Sequence, residues 1–377
     1  MISMDDVAVE AGVSHGTVSH ALNHPDRVSK NSLRKVQEAV DRLGFVRNES
    51  ARHLRSGTSS TLGLVLFDTW DPFFTEMTKG FEDVAIANGR NVVVANSALS
   101  VNREAANLTS FEQRRLEGIL IIPQSSETLP KLEQIRRRGT SCVLLDHPSG
   151  GFNLPSVSVD NVEGGAVAGR HLIELGCRRI LFVGNATLFT HSKDRLEGLL
   201  SITDPAGIDV QIFTVAHLDF DRGHDAGAYI ASLAPENRPD AVFCSNDMLA
   251  LGLMQIFARA GIAMPADVAV IGYDDIGLAG QVATPLSTVR QPAYDIGKSA
   301  GEVLLRDIES GRSAETEHIV YTPWLVARES TTGAKRAIDG VGQTADVRAA
   351  ALTGSSAELS PKQLAPSPPR PAPLGAK

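Results

Sequence analysis

The side chains able to do chemistry in this chain sit just beyond short apolar runs. Phe73 and Phe74 follow LGLVLF (62–67), and Asp146 ends CVLLD (142–146). Arg195 lies in the segment after ILFVG (180–184). Asn246 and Asp247 follow AVFCS (241–245), and Asp274 and Asp275 close VAVIGYDD (268–275). Aromatic faces stack on an apolar ring face, carboxylates accept, and arginine donates in a planar fork. Together they can satisfy vicinal hydroxyls, which points to a neutral polyol such as a sugar. Purines and nucleosides also suit stacking rings. An anionic or phosphorylated ligand would call for more Lys or Arg than these stretches carry. Asn246 would serve equally as a helix cap, and Asp275 as a brace for a turn. Several bond-breaking signatures are missing: there is no G-x-G-x-x-G after the first apolar run, no G-x-x-x-x-G-K and no paired metal motif.

A second chemistry sits at the N-terminus, in MDDVAVEAGVSHGTVSHALN (4–23). Met4, Val7, Ala8 and Ala11 recur at helical spacing, and Gly12 ends that helix. Ser14 can cap a second helix, which would bury Val18, Ala21 and Leu22. Its other face presents His15, Gly16, Thr17, Ser19 and His20. Small Ala8 and the Gly12 corner permit a helix-turn-helix that pushes one helix into a major groove. An ordinary αα-hairpin would show the same spacing. His20 and His24, four apart, could start a metal site, but no further ligands lie nearby.

Charge separates the head from the body. The chain of 377 residues has a net charge of −8, yet residues 27–55 carry eight Arg or Lys against three acids, while residues 1–26 carry none of either base. A local basic stripe on an acidic protein fits a small DNA-contacting head joined to a separate body. The composition, 42% hydrophobic and 21% charged, is that of a globular protein. No apolar run reaches the roughly 18 residues of a membrane span, and no export leader is expected before the first helix. Three scattered cysteines, Cys142, Cys177 and Cys244, argue against a disulfide framework and fit a cytoplasmic protein.

These side chains need elements to position them. A third helix is predicted over about 30–43, burying Leu33, Val36, Val40 and Leu43. Val7, Ala11, Val18, Leu22, Val36, Val40 and Phe45 form the expected head core. NESARHLR (48–55) reads as a short helix too small to hold alone, followed by a polar linker, SGTSST (56–61). It would order on DNA, with Leu54 as an apolar wedge in the minor groove and Arg52 and Arg55 on phosphates. From Leu62 onward, apolar strands alternate with amphipathic helices, the α/β pattern of doubly wound parallel sheets. One series begins at 62. A second begins near VSVD (157–160). The strand and long helix of 286–308 could return to the first lobe. Residues 333–377 lose all periodicity and turn Pro-rich, and are expected to be disordered.

Taken in order, these motifs resemble the LacI/GalR (lactose repressor) family of bacterial transcription regulators over about residues 1–332. DVAVEAGVSHGTVSHALN matches the family's helix-turn-helix, and RVSKNSLRKVQEAVDRLGFVRNESARHLRSG its third helix and hinge. DPFF, VSVDNVEGG, SNDMLALG and VIGYDD match its sensor motifs, and VARES its C-terminal strand. The resemblance implies a helix-turn-helix head (1–47), a hinge and linker (48–60), and a two-lobed sensor of periplasmic-binding-protein type (61–332). The lobes would be about 61–157 with 290–321, and 158–289 with 322–332. It implies a homodimer on a pseudo-palindromic double-stranded operator, with a small effector in the inter-lobe cleft and no cofactor or metal. The DNA contacts it implies are Ser14, His15, Gly16, Thr17, Ser19, His20, Asn23 and Arg27 in the head, and Asn48, Ala51, Arg52, Leu54 and Arg55 in the hinge. Those to effector are Phe73, Phe74, Asp146, His191, Arg195, Phe220, Asn246, Asp274 and Gln291.

The chain departs from the family pattern at four places. His20 stands where Arg is frequent, Arg47 where Pro is usual before the hinge, Asp71 where Asn is common, and His191 where Ser usually opens HSKDR (191–195). Repression relieved by a sugar is the expected activity. Corepression by a purine or nucleoside uses the same architecture, and a solute-binding protein would share the lobes but not the head.

Overall fold

The computed structural model describes residues 2–46, 59–147, 151–312 and 316–333. The expected hinge contacts Asn48, Ala51, Arg52, Leu54 and Arg55, together with Arg47 and the tail beyond Gly333, lie outside these residues.

Local chemistry explains the head. Helix α1 (Met4–Ala11) opens on a reciprocal cap: Asp6 N donates to Ser3 Oγ, and Ser3 N donates back to the Asp6 carboxylate. Gly12, at φ 61°, ends it in the left-handed region. Helix α2 (His15–Asn23) is capped by Ser14, whose Oγ accepts from Thr17 N at 3.1 Å. Helix α3 (Lys30–Leu43) begins at Ser29 and stops at Gly44. Val7, Ala8, Ala11, Val18, Ala21, Val36 and Ala39 are buried between the three helices. Leu22, Leu33, Val40, Leu43 and Phe45, expected in the core, are only half-buried at its rim. The helices approach closely enough for alanine to fill the centre.

Among the described residues the body has twelve strands. In chain order they are β1 (Thr61–Leu66), β2 (Asn91–Asn96), β3 (Gly118–Ile121), β4 (Ser141–Leu145), β5 (Ser156–Val159) and β6 (Arg179–Gly184). Then follow β7 (Asp209–Thr214), β8 (Ala241–Cys244), β9 (Ala269–Asp274), β10 (Ser287–Arg290), β11 (His318–Tyr321) and β12 (Trp324–Val326). Between and after them run α4 (Pro72–Ala87), α5 (Val101–Gln113), α6 (Leu129–Arg137), α7 (Asn161–Glu174) and α8 (Thr190–Thr203), then α9 (Phe220–Ser232), α10 (Asp247–Ala260), α11 (Ala293–Glu309) and α12 (Glu329–Thr332).

The strands form two six-stranded sheets, ordered β11-β5-β4-β3-β1-β2 and β12-β10-β9-β8-β6-β7. All pairings are parallel except β10 with β12. The second sheet is therefore parallel with one antiparallel edge, a refinement of the expected pair of parallel sheets. β5 corrects the sequence reading. VSVD was expected to open the second series, but Ser156–Val159 pairs with β4 and β11 in the first sheet. An apolar run announces a strand without naming its partner. The chain passes between lobes three times: after β5, after β10, and between β11 and β12. Helix α11 returns to the first lobe, where Asp307 forms a buried bidentate ion pair with Arg136 of α6. Among the described residues no helix is long and apolar enough to cross a membrane.

One close approach sets the site that follows. A Cβ on Gly165 of α7 would lie 1.9 Å from the carbonyl oxygen of Arg195 on α8, and one on Gly198 would lie 1.8 Å from the carbonyl of Val162. Only paired glycines let α7 and α8 touch backbone to backbone.

Candidate functional site

The C-terminal ends of both parallel sheets face one cleft of about 450 Å³, where doubly wound sheets place their ligands. Asp146 follows β4 at φ 45°, and Asp274 ends β9 at φ 109°. Both carboxyl-bearing residues hold a backbone conformation that L-residues rarely adopt, a form of strain that clusters at binding sites.

Arg195 is the hub. It is 3% exposed, lies flat over Tyr273 at 3.6 Å from the ring centre, and donates from Nε to Asn161 Oδ1 at 2.9 Å. Its Nη1 donates to the Ser245 carbonyl and stands 3.8 Å from Asp274 Oδ1. Asn161 in turn donates to Asp146 Oδ1 at 3.2 Å, so a chain of contacts runs from the first lobe into the second. A second link crosses from Asn246, which caps α10 through Leu249 N and donates to Asp71 Oδ2 at 3.5 Å. Asp71 itself caps α4, accepting from Phe73 N at 2.9 Å.

Burial pushes the carboxyls of Asp71 and Asp146 up to about 6, against the lowering pull of Arg195. Burial raises Asp274 well above the usual carboxylate range, with Asp71 adding to the effect. Burial and the Arg195 charge hold His191 well below its ordinary value, so the ring is neutral. It joins an aromatic wall: His191 lies 5.6 Å from Phe189 and 6.4 Å from Phe67, and Phe74 meets Phe67 and Phe73 edge to face.

The end of β9 is pinned from behind. Asp247, buried and pushed by burial to about 7, accepts from Thr288 Oγ1 at 2.7 Å and from Ile276 N at 2.9 Å. Arg328 of the VARES segment reaches the Asp275 carboxylate at 2.7 Å. Asp275 is thus a brace for the turn, as one of its two readings had it.

Phe73, Phe74, Asp146, His191, Arg195, Asn246 and Asp274 all line the cleft. Two expected residues do not. Gln291 is buried behind the wall, donating to Asp274 Oδ1 at 2.6 Å. Phe220, first in α9, packs edge to face on His224 at 4.8 Å, and its neighbour Asp219 lines the cleft instead. Phe67, Asp68, Trp70, Asn96, Leu99, Phe189, His217 and Leu218 also line it and were not singled out from sequence. The end of the LGLVLF run marked Phe67, whereas Trp70 and His217 lie in loops that carry no period.

On the head, His15, Gly16, His20, Asn23 and Arg27 are exposed, with Thr17 and Ser19 half-buried and Ser14 capping α2. His15 Nδ1 pairs with Asp5 at 2.6 Å, and Asn23 donates to the Ser19 carbonyl at 2.7 Å. The His20 and His24 rings are 6.5 Å apart. The basic stripe is partly internal: Arg34 pairs with Glu38, and Arg42 with Glu10 of α1.

Residues 3–48 match the bacterial regulatory proteins of the lacI family, and residues 170–331 match a periplasmic binding protein-like domain. A ribose operon repressor of Bacillus subtilis is 33% identical over 316 residues, 84% of this chain and 94% of its own length. The chain belongs to the lacI family. A second relative of this lacI-family regulator, the transcriptional repressor PurR of Photobacterium profundum, is 30% identical over 331 residues, covering 88% of this chain and 98% of that one. Among solved structures, a LacI family transcriptional regulator from Enterococcus faecalis with bound ribose superposes with a TM-score of 0.65 at 27% identity, over 72% of this chain and 98% of that one. The chain is a DNA-binding transcriptional regulator of the repressor type, with its sensor in the two-lobed body.

Proposed function

We propose that this regulator represses transcription as a homodimer on a pseudo-palindromic operator, and that a sugar in the inter-lobe cleft releases it. One arrangement carries the reading. Acceptors from the first lobe, Asp71 and Asp146, face donors and a carboxylate from the second, Arg195, Asn246 and Asp274, across an aromatic wall. A polyol bound there touches both lobes at once, so its binding energy depends on how they close. His15 and His20 face the base edges, and Arg27 and the hinge arginines meet phosphates.

Pairing between copies is supported by two sheet edges. β2 exposes Val93 and Val94, and β7 exposes Ile212. Such apolar edge strands are normally covered. The chain acts by binding and turns over no substrate, and it works in the cytoplasm beside its DNA.

The test is a gel shift of the full chain on operator duplex, titrated with sugars and, in parallel, with purines and nucleosides. Release by a sugar supports the proposal. Tightening by a purine replaces it with corepression.

A further inference from the structure

We propose that the effector is a sugar-like polyol bearing a protonated amine, held between Asp71 and Asp274. This rests on the reading of the cleft as a sugar site and names the charge of its occupant.

Charge complementarity carries it. Among the described residues, the cleft is lined by five aspartates, Asp68, Asp71, Asp146, Asp219 and Asp274, against the single guanidinium of Arg195 and no lysine. Two of the five are settled locally. Asp68 accepts from Trp70 N at 2.9 Å, and Asp219 caps α9 with Arg222 at 3.9 Å. The other three share Arg195, which is already committed. Its Nε serves Asn161, its Nη1 serves the Ser245 carbonyl, and Asp274 is left 3.8 Å away.

Asp71 has the weakest provision. Its Oδ1 accepts from a backbone amide, and its Oδ2 meets only the Asn246 amide at 3.5 Å. Asp71 and Asp274 line the same cleft. A neutral hydroxyl brings one donor, whereas an ammonium brings three donors and a full positive charge and can serve both carboxyls. The carbon skeleton then lies against Phe74 and Phe67, with its hydroxyls toward Asp146 and Arg195.

Isothermal titration of the full chain at neutral pH tests this with a panel of aminodeoxyhexoses and aminodeoxypentoses, each beside its hydroxyl parent and its N-acetyl derivative. At least one amine should bind about tenfold tighter than both of its neutral counterparts, the scale of one charge-assisted contact. In Asp71→Asn, which keeps the α4 cap, the amine preference should shrink to about threefold or less. The wild-type panel does not depend on how the variant folds. If neutral sugars bind as well as or better than every amine, the proposal is overturned and the sugar reading stands. If no sugar of either kind binds, the sugar reading falls and this proposal with it.

Discussion

Asn246 of the second lobe donates its side-chain amide to Asp71 of the first across 3.5 Å of the cleft, while the same side chain caps α10. One residue therefore both starts a helix and touches the opposite lobe. Asn246→Ala should cost about 1 kcal/mol in stability through the lost cap, and weaken effector binding about tenfold. Asn246→Ser keeps a cap yet is too short to reach Asp71, so it should melt close to wild type and still bind effector poorly. Thermal melts and effector titrations on both variants separate the roles. An Asn246→Ser protein with wild-type effector affinity would show that the cross-lobe contact is idle.

Arg195 should be irreplaceable by lysine. A lysine ammonium cannot lie flat on Tyr273 while also reaching Asn161 and the Ser245 carbonyl, because it lacks the planar fork. Arg195→Lys is expected to lose effector affinity on the order of a hundredfold while ligand-free operator binding persists. Gel shifts with and without effector read both quantities. Retained effector response in this variant would remove Arg195 from the site.

The Gly165 contact predicts a long-range effect. A methyl at 1.9 Å from the Arg195 carbonyl must push α8 away from α7, carrying the guanidinium off Asn161. Gly165→Ala should destabilise the sensor by about 1–3 kcal/mol and weaken effector binding together. If stability falls and effector affinity is unchanged, Arg195 is positioned by other contacts.

Acid should favour the ligand-free sensor through two groups. Burial lifts Asp71 and Asp146 from 3.8 to about 6, so the folded chain holds their protons more tightly than the unfolded one. These groups cost nothing below about pH 4, and their ionisation subtracts stability increasingly as pH rises through about 6. Asp146→Asn escapes that loss. Its melting temperature relative to wild type should therefore climb by a few degrees between about pH 5 and pH 7.5. A difference that does not change with pH would contradict the burial of this carboxyl.

How much of this was legible beforehand follows from what a sequence pattern encodes. Asp146, Asn246 and Asp274 were visible because each sits at or just past an apolar run, and parallel sheets put those ends together; Arg195, inside the helix after ILFVG, was marked by HSKDR (191–195). Gln291 sits at a strand end too, but the Asp274 carboxylate takes up its amide, and no pattern reports which polar neighbour a side chain will prefer. Phe220 was misplaced by a single residue. At a helix start, one step turns a side chain from the cleft to the neighbouring turn, and Asp219 took the lining position. β5 read as a strand but not as a strand of the first sheet, since pairing is a long-range choice. The α1 and α2 corner was legible down to Gly12, yet the Asp5–His15 pair was not, because ten residues separate partners that only the folded corner brings together.

That pair bears on DNA reading. Asp5 steadies the His15 ring, leaving His20 the freer of the two. His20→Ala should weaken operator binding at fixed salt about tenfold. Normal operator binding by His20→Ala would remove it from the base-reading face.

The most direct test of the whole account is operator binding by the full chain, measured by fluorescence anisotropy on a pseudo-palindromic duplex, with and without saturating sugar effector. The account predicts specific binding that one sugar-class ligand weakens at least about tenfold, and that Arg195→Lys binds equally well but no longer releases. Operator affinity unchanged by every ligand that binds the cleft would contradict it.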